Sequence, residues 1–341
     1  MAEKDIREID KNMKENVSLE SDNISWHSLN NDYLMGSAFH NNFERLEPDT
    51  YVSENIEVLK RHPAGMYIDF KTNSPFIKIK AMLAGAAYMS HMTAVGTIGF
   101  DLYYKHQSKW AFISTTKINS KEYTVDLLKN IDEGMKEYRI YFPLYQALNE
   151  AYIGVDKNSL FNFVREEKER FVIYGTSISQ GGCASRPGMA YSSILGRLLD
   201  VEVINLGFSG SCKLEDEMLN VINKINKKLL ILEVEANSPS VDVLKERLSF
   251  FLDNLKDKDS FKIYLISHFD DSMCLINSEY KQNQQAFYDL QKSFTGLRFI
   301  DGSKIIENLF YEGSVDGVHL TDLGFYELAN KLAGIIKDDK I

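Results

Sequence analysis

Two rhythms of apolar and polar positions divide the chain. In the first half the apolar residues fall in short runs rich in β-branched and aromatic side chains. These are MYIDF at 66–70, FIKIKAML at 76–83, IGFDLYY at 98–104, WAFIST at 110–115, YRIYF at 138–142 and AYIGV at 151–155. Several alternate apolar with polar residues, the period of a strand that buries one face. Turn-forming strings such as Thr72-Asn73-Ser74-Pro75 and Asp132-Glu133-Gly134 separate them. Short strands without helices between them predict a β-sandwich of the jelly-roll kind over residues 1–160.

Near residue 160 the pattern changes. RFVIYG (170–175) is a continuous apolar run of the kind a fully buried parallel strand shows. Strand and helix signals then alternate. VEVINLG (201–207) precedes a helical period at Leu214, Met218, Leu219, Ile222 and Ile225. LLILEVEA (229–236) leads into Leu244, Leu248, Phe251, Leu252 and Leu255, and FKIYLIS (261–267) into Tyr280, Phe287 and Leu290. LRFI (297–300) comes before a final helix from Thr321, with Phe325, Leu328, Leu332 and Ile335 on one face. Ser238-Pro239 and Thr321-Asp322 offer capping oxygens at helix starts. The alternation predicts an α/β domain over 161–341, a parallel sheet with helices on both faces.

Ligands of such a sheet bind outside the carboxyl ends of its strands. The first strand runs into Gly175-Thr176-Ser177-Ile178-Ser179-Gln180-Gly181-Gly182 and the second into Asn205-Leu206-Gly207-Phe208-Ser209-Gly210-Ser211. The third ends in Glu235-Ala236-Asn237-Ser238, and the loop before the last helix holds Asp316-Gly317-Val318-His319. Together these supply the parts of an acyl-transfer site. A Ser hydroxyl is a weak nucleophile until a base takes its proton, and His suits that near neutral pH. Ser177 would attack, His319 would take its proton, and Asp316 would fix the imidazole tautomer. The N–H groups of Ser177 and Gly210 and the Asn237 amide would form the oxyanion hole.

GTSISQGG, NLGFSG, the Asn of EVEAN, and DGVH resemble the four sequence blocks of SGNH (GDSL-type) hydrolases, in order. GTSISQGGCASRPGM and HMTAVGTIGFDLYY resemble the subgroup with an N-terminal β-sandwich, seen in two-domain bacterial carbohydrate acetylesterases. The resemblance runs from about residue 25 onward. It implies a flavodoxin-like αβα sandwich after the β-sandwich, with Ser177 as nucleophile, Asp316 and His319 as acid and base, and Gly210 and Asn237 as oxyanion donors. The implied activity is hydrolysis of short-chain acyl esters, acetyl above all, on a sugar or oligosaccharide. An acyltransferase with the same triad, or a carbohydrate-binding protein retaining the fold, are the alternatives. Thr176 stands where the family's Asp would be, and Ser238 follows Asn237 where Asp is common. The α/β-hydrolase elbow G-x-S-x-G fits less well, because position 179 is Ser.

Other side chains admit two readings. Arg186 either binds a substrate oxygen or forms a structural ion pair. His268, Asp270, Asp271 and Cys274 sit together after a strand but lack metal-ligand spacing. Cys183 reads as a small buried residue. His91, Met82, Met89 and Met92 read as sandwich core, and Trp26, Trp110 and Tyr88 either pack or stack on sugar rings. No metal or organic cofactor is expected.

Composition narrows the class. With 39 Lys and Arg against 49 Asp and Glu in 341 residues, the net charge is −10, which disfavours phosphate backbones and anionic lipid surfaces. No nucleic-acid or membrane partner is therefore expected, and oligomeric state is left open. Three Cys fit no disulfide framework. The charged N-terminus lacks the apolar core of a signal peptide, so a cytoplasmic location is expected.

Overall fold

The computed structural model describes residues 4–18, 22–39, 42–270 and 272–341. The antiparallel strands come first: β1 (Ile24–Ser28), β2 (Tyr67–Thr72), β3 (Ile77–Leu83), β4 (Asp101–His106), β5 (Lys109–Thr115), β6 (Glu122–Leu128), β7 (Lys136–Tyr141), β8 (Leu148–Asp156) and β9 (Phe161–Val164). They form two sheets, in the orders β1-β8-β3-β6 and β5-β4-β7-β2-β9. Strand β3 buries Ile77, Ile79, Ala81 and Leu83 and turns Lys78, Lys80 and Met82 outward. The buried set shares one core with Ile68, Phe70, Leu102 and Ile140 of the other sheet, the sandwich expected from the alternation. Burying such a side chain stabilises the fold by about 1.5–3 kcal/mol.

The parallel sheet follows: β10 (Arg170–Gly175), β11 (Glu202–Gly207), β12 (Leu229–Glu233), β13 (Lys262–Ile266) and β14 (Arg298–Ile300). Its order is β11-β10-β12-β13-β14, with every pair parallel. That is the flavodoxin-like winding. Phe171 and Ile173 pack with Ile194 and Leu328 of the helices Tyr191–Leu199 and Asp322–Asp338. Val172 and Tyr174 pack on the opposite side with Met218, Leu248 and Phe287 of the helices Asp216–Lys224, Val241–Asn254 and Ser278–Ser293. Both faces of β10 are thus covered, which is why its sequence is uninterrupted apolar.

Several elements depart from the sequence reading. Strands β1, β6 and β9 were not anticipated. The run IGFDLYY begins its strand only at Asp101, because Ala94–Ile98 is a short helix capped by Thr93 and closed at Gly99. The helix after β12 is capped by Ser240, whose Oγ accepts from Val243 N–H, and not by Ser238. Met92 and Met89 pack against the parallel-sheet core, and Met82 points away from the sandwich interior. The chain before β2 also reaches across: Ala38, Leu46 and Ile56 join the parallel-sheet core. Arg45, fully buried and stacked on Phe208, donates to the Gly207 carbonyl and to Leu59 at 2.8 Å.

Candidate active site

The register aligns Gly175 of β10 with Gly207 of β11 and with Glu233 of β12, so three strand ends lie level. The short helix Ser177–Gln180 crosses directly over them. A Cβ on Gly175 would come within 2.1 Å of Ser179 Oγ, and one on Gly207 within 2.2 Å of the Gln180 nitrogen. Only glycine lets the helix sit this close to the sheet.

Thr176 holds the helix from below. Its Oγ1 accepts from Ile178 N–H at 3.3 Å and donates to Glu233 Oε2 at 2.7 Å, while its N–H donates to the same oxygen at 3.0 Å. Ser179 Oγ donates there too, at 3.0 Å. Burial pushes the Glu233 carboxyl up to about 7, against the opposing pull of these donors. Thr176 therefore supports the turn beneath Ser177, through a buried acid that motif reading did not single out.

The structure brings Ser177, His319 and Asp316 into one line. Ser177 Oγ lies 2.9 Å from His319 Nε2, and His319 Nδ1 lies 2.8 Å from Asp316 Oδ2. Asp316 Oδ1 accepts from the N–H groups of His319 and Val318 at 2.8 and 3.0 Å. Partial burial raises the Asp316 carboxyl, but the His319 backbone N–H and imidazole outweigh it and hold the group below the usual carboxylate range. An ionised carboxylate only accepts, so Nδ1 carries the proton and Nε2 turns its lone pair to the Ser177 hydroxyl. The Val315 N–H donates to the His319 carbonyl at 2.8 Å and closes the loop on itself.

The expected oxyanion donors flank this line. Gly210 is exposed with φ +62°, a left-handed turn position, and the Ser211 N–H after it donates to Phe208 at 3.0 Å. Asn237 is half-buried and spends one amide hydrogen on the Ser211 carbonyl, tying the loop after β12 to the loop after β11. Among the described residues, the N–H groups of Ser177 and Gly210 donate to no protein acceptor.

Arg186 is tied to the antiparallel half. Its Nη1 donates to Asp101 at 2.8 Å and to the Tyr103 hydroxyl at 2.7 Å, and its guanidinium stacks on Phe112 at 3.7 Å. All three partners belong to β4 and β5, so Arg186 forms the structural ion pair that was one of its two readings. The Gly188 N–H reinforces it by donating to the same Asp101 oxygen at 2.8 Å. Burial raises the Asp101 carboxyl even with Arg186 beside it.

Two side chains of the antiparallel half reach the site without having been foreseen there. The buried Tyr145 hydroxyl donates to the Ser177 carbonyl at 3.2 Å. His91, read as sandwich core, is instead exposed, its ring 6.0 Å from that of His319. No motif marks Tyr145, and His91 opens the string HMTAVGTIGFDLYY without its periodicity showing where the ring points; the packing of the short helix Ala94–Ile98 against the chain after β10 brings them close.

The remaining candidates resolve plainly. His268 N–H donates to Glu235 at 3.0 Å, and Asp270 accepts from Ser272 N–H at 2.8 Å. Asp271 lies outside the described residues. Trp26 lies against Gly154 of β8 and Trp110 under Arg139, 4.4 Å from its guanidinium carbon, whereas Tyr88 is 67% exposed. Cys183 is buried, and burial together with Asp316 pushes its thiol up to about 11. Among the described residues, no helix is long and apolar enough to cross a membrane.

Comparison with known proteins agrees with this architecture. Residues 168–337 match the GDSL-like lipase/acylhydrolase family, and residues 24–161 match the N-terminus of SGNH-hydrolase-type esterases. A crystal structure from Bacteroides ovatus assigned to the GDSL-like lipases is 31% identical, covers 93% of this chain and 98% of its own, and superposes with a TM-score of 0.85. A salicylyl-acyltransferase from a tetracycline biosynthetic pathway shares the fold at 13% identity, with a TM-score of 0.68 over 95% of this chain and 97% of its own. So does a family two carbohydrate esterase from Clostridium thermocellum in complex with cellohexaose, at 13% identity, a TM-score of 0.53, and 81% and 93% coverage. No curated protein matches the chain.

Proposed function

The chain belongs to the GDSL-like lipase/acylhydrolase family, and from that premise we propose that it is a serine esterase acting through an acyl-enzyme on Ser177. One observation carries the proposal: the unbroken line from Asp316 through His319 to Ser177, at 2.8 and 2.9 Å. His319 Nε2 takes the hydroxyl proton as Ser177 Oγ attacks the ester carbonyl. The negative charge that forms on the carbonyl oxygen meets the N–H of Ser177, the N–H of Gly210 and the second amide hydrogen of Asn237. Each such donor is typically worth about 3–4 kcal/mol of barrier. His319 then gives its proton to the leaving alcohol, and water, deprotonated by the same imidazole, releases the acid. Asp316 stays ionised throughout and holds the ring. The residues 161–341 would form the catalytic domain and 1–160 the domain that braces it.

The substrate class we propose is a short acyl ester, acetyl first, on a carbohydrate. The exposed ring of Tyr88, three residues before His91, offers a flat face to a sugar. The carbohydrate esterase that binds cellohexaose supports the reading only through its shared fold.

A series of p-nitrophenyl esters from acetate to octanoate, run with wild type and Ser177→Ala beside a serine-directed fluorophosphonate, tests both parts. Activity and labelling should vanish together in the variant, and rates should fall as the acyl chain lengthens. Activity persisting without the Ser177 hydroxyl would assign the nucleophile elsewhere, and rates rising toward octanoate would replace the acetyl pocket with a lipase-like one. Acyl transfer to an added sugar in preference to water would turn the reading toward an acyltransferase.

A further inference from the structure

Beside the Ser177–His319 contact, two side chains that ester hydrolysis does not use, His91 and Cys183, join Asp316 and His319 in one set of ligand atoms. His91, Cys183, Asp316 and His319 each bring one metal-ligating atom to within 4.8 Å of the other three. They come from three parts of the chain: His91 from the antiparallel half, Cys183 from the turn after the helix Ser177–Gln180, and Asp316 with His319 from the loop before the last helix. The His91 ring stands at 61° to that of His319 and is exposed, free to turn. Cys183 is buried at φ +69°, a left-handed conformation uncommon for a residue with a Cβ, and its thiol is in no disulfide.

We infer that this cluster is a site for a soft divalent cation of the zinc type, and that filling it stops the esterase reversibly. The inhibition rests on the reading of His319 as the base; the binding itself does not. Two imidazoles, a thiol and a carboxylate make the mixed nitrogen, sulfur and oxygen set that zinc prefers. Zinc–nitrogen bonds of about 2.0–2.1 Å and zinc–sulfur bonds of about 2.3 Å put tetrahedral ligand atoms roughly 3.3–3.8 Å apart. The ligand atoms, all within 4.8 Å of one another, reach that spacing by small side-chain adjustments, to which the exposed His91 contributes by turning. Coordination displaces the Cys183 thiol proton to solvent and leaves a thiolate on the metal. Asp316 faces His319 Nδ1 at 2.8 Å, so a metal that the two share sits at Nδ1, sends that proton to solvent and takes Asp316 from the ring. The metal-bound imidazole is then too weak a base at Nε2 to take the Ser177 proton.

The probe is Co²⁺ titrated into full-length Ser177→Ala, which keeps the four ligands and cannot turn over. The expected result is one cobalt per chain, with the visible bands of a four-coordinate ion and a near-ultraviolet thiolate-to-cobalt band. The thiolate band should disappear in Cys183→Ser on the same background, and affinity should fall at least about tenfold in His91→Ala. With the Ser177 hydroxyl present, micromolar Zn²⁺ should suppress ester hydrolysis and a chelator should restore it. Cys183→Ser and His91→Ala should retain basal hydrolysis and lose the zinc sensitivity. Absence of the thiolate band, or zinc inhibition unchanged in both variants, overturns the site. If no ester is hydrolysed at all, the esterase reading falls while the cobalt spectrum still decides the metal site.

Discussion

The parallel and antiparallel halves both touch Ser177, and they do so differently. The parallel sheet presents the polar groups of strand-end loops: the Ser177 hydroxyl, the His319 imidazole, the Gly210 N–H and the Asn237 amide. The antiparallel half presents supports: Tyr145 on the Ser177 carbonyl, and Asp101 with Tyr103 clamping Arg186. Groups of the first kind can exchange protons or meet charge as it develops; those of the second hold backbone in place. If this division is right, substitutions on the parallel side should act on rate with the fold intact, and those on the antiparallel side should act on stability first.

The largest effect should come from the rim of the parallel sheet. Ser177→Ala and His319→Ala should each lower kcat for p-nitrophenyl acetate by about 10⁴-fold or more, equivalent to at least about 5.5 kcal/mol of barrier. Their thermal midpoints should stay within a few degrees of wild type. The double variant should be no slower than either single one, because the two groups act as a unit. Additive losses would mean that Ser177 and His319 serve separate steps.

Next in size is the clamp between the halves. Asp101 is fully buried, so Asp101→Asn leaves the Arg186 guanidinium largely desolvated against a neutral partner, a loss of roughly 3–5 kcal/mol of stability. Arg186→Met should cost a similar amount by stranding Asp101. The double substitution should recover most of it, since removing both charges removes the desolvation as well. Urea midpoints read the outcome. A fall in kcat without a fall in midpoint would move Arg186 to the reacting side of the division.

That clamp also marks what the sequence could and could not convey. Ser177, Gly210, Asn237, Asp316 and His319 were legible because each follows a strand or precedes a helix whose apolar period is visible locally. That the sheet is parallel and covered on both faces followed from the same alternation, whereas its flavodoxin-like winding was implied only by the family resemblance. Arg186, His91 and Tyr145 were not legible, because their surroundings are set by the docking of segments far apart in the chain. Strand β6 alternates buried and open positions as cleanly as any, with Tyr123, Val125 and Leu127 inward, yet its polar residues sit between turn-like neighbours and masked the run. Glu233 was hidden for the opposite reason. It lies within an apolar strand, and only the register against Gly175 shows that it carries the turn below Ser177.

Glu233 gives the third test, through pH. Its carboxyl lies near 7 in the folded chain, against about 4.5 when unfolded. Between those values the native state holds a proton that the unfolded state has released. Stability therefore falls as pH rises from about 4.5 to 7 and is level beyond, by about 3 kcal/mol in all. The buried His62, whose imidazole burial depresses to about 3, acts oppositely: its stabilising effect is lost as pH falls below about 6.5. The readout is therefore the difference between wild type and Glu233→Gln in urea midpoints at pH 5 and pH 8. That difference, converted to free energy, should shift by about 2.5 kcal/mol in favour of the variant at the higher pH. An unchanged difference would mean that Glu233 is ionised across the whole range, held so by Thr176 and Ser179.

Tyr145→Phe sets the smallest and most discriminating effect. The substitution removes one hydroxyl that donates to the Ser177 carbonyl and leaves the ring in its packing, so the expected stability loss is about 1 kcal/mol. The Ser177 carbonyl keeps the Gly181 and Gly182 N–H groups at 3.1 and 2.8 Å, so the turn itself should survive. What remains is an effect on aim. If Ser177 attacks the ester, a shift of its Oγ by a few tenths of an ångström lengthens the path to the ester carbon equally for every acyl group. The variant should therefore lose a few-fold in kcat, by the same factor for acetate and butyrate, with KM unchanged. A loss that depends on acyl length would instead put the Tyr145 hydroxyl in the acyl pocket and give the antiparallel half a direct share in choosing the substrate.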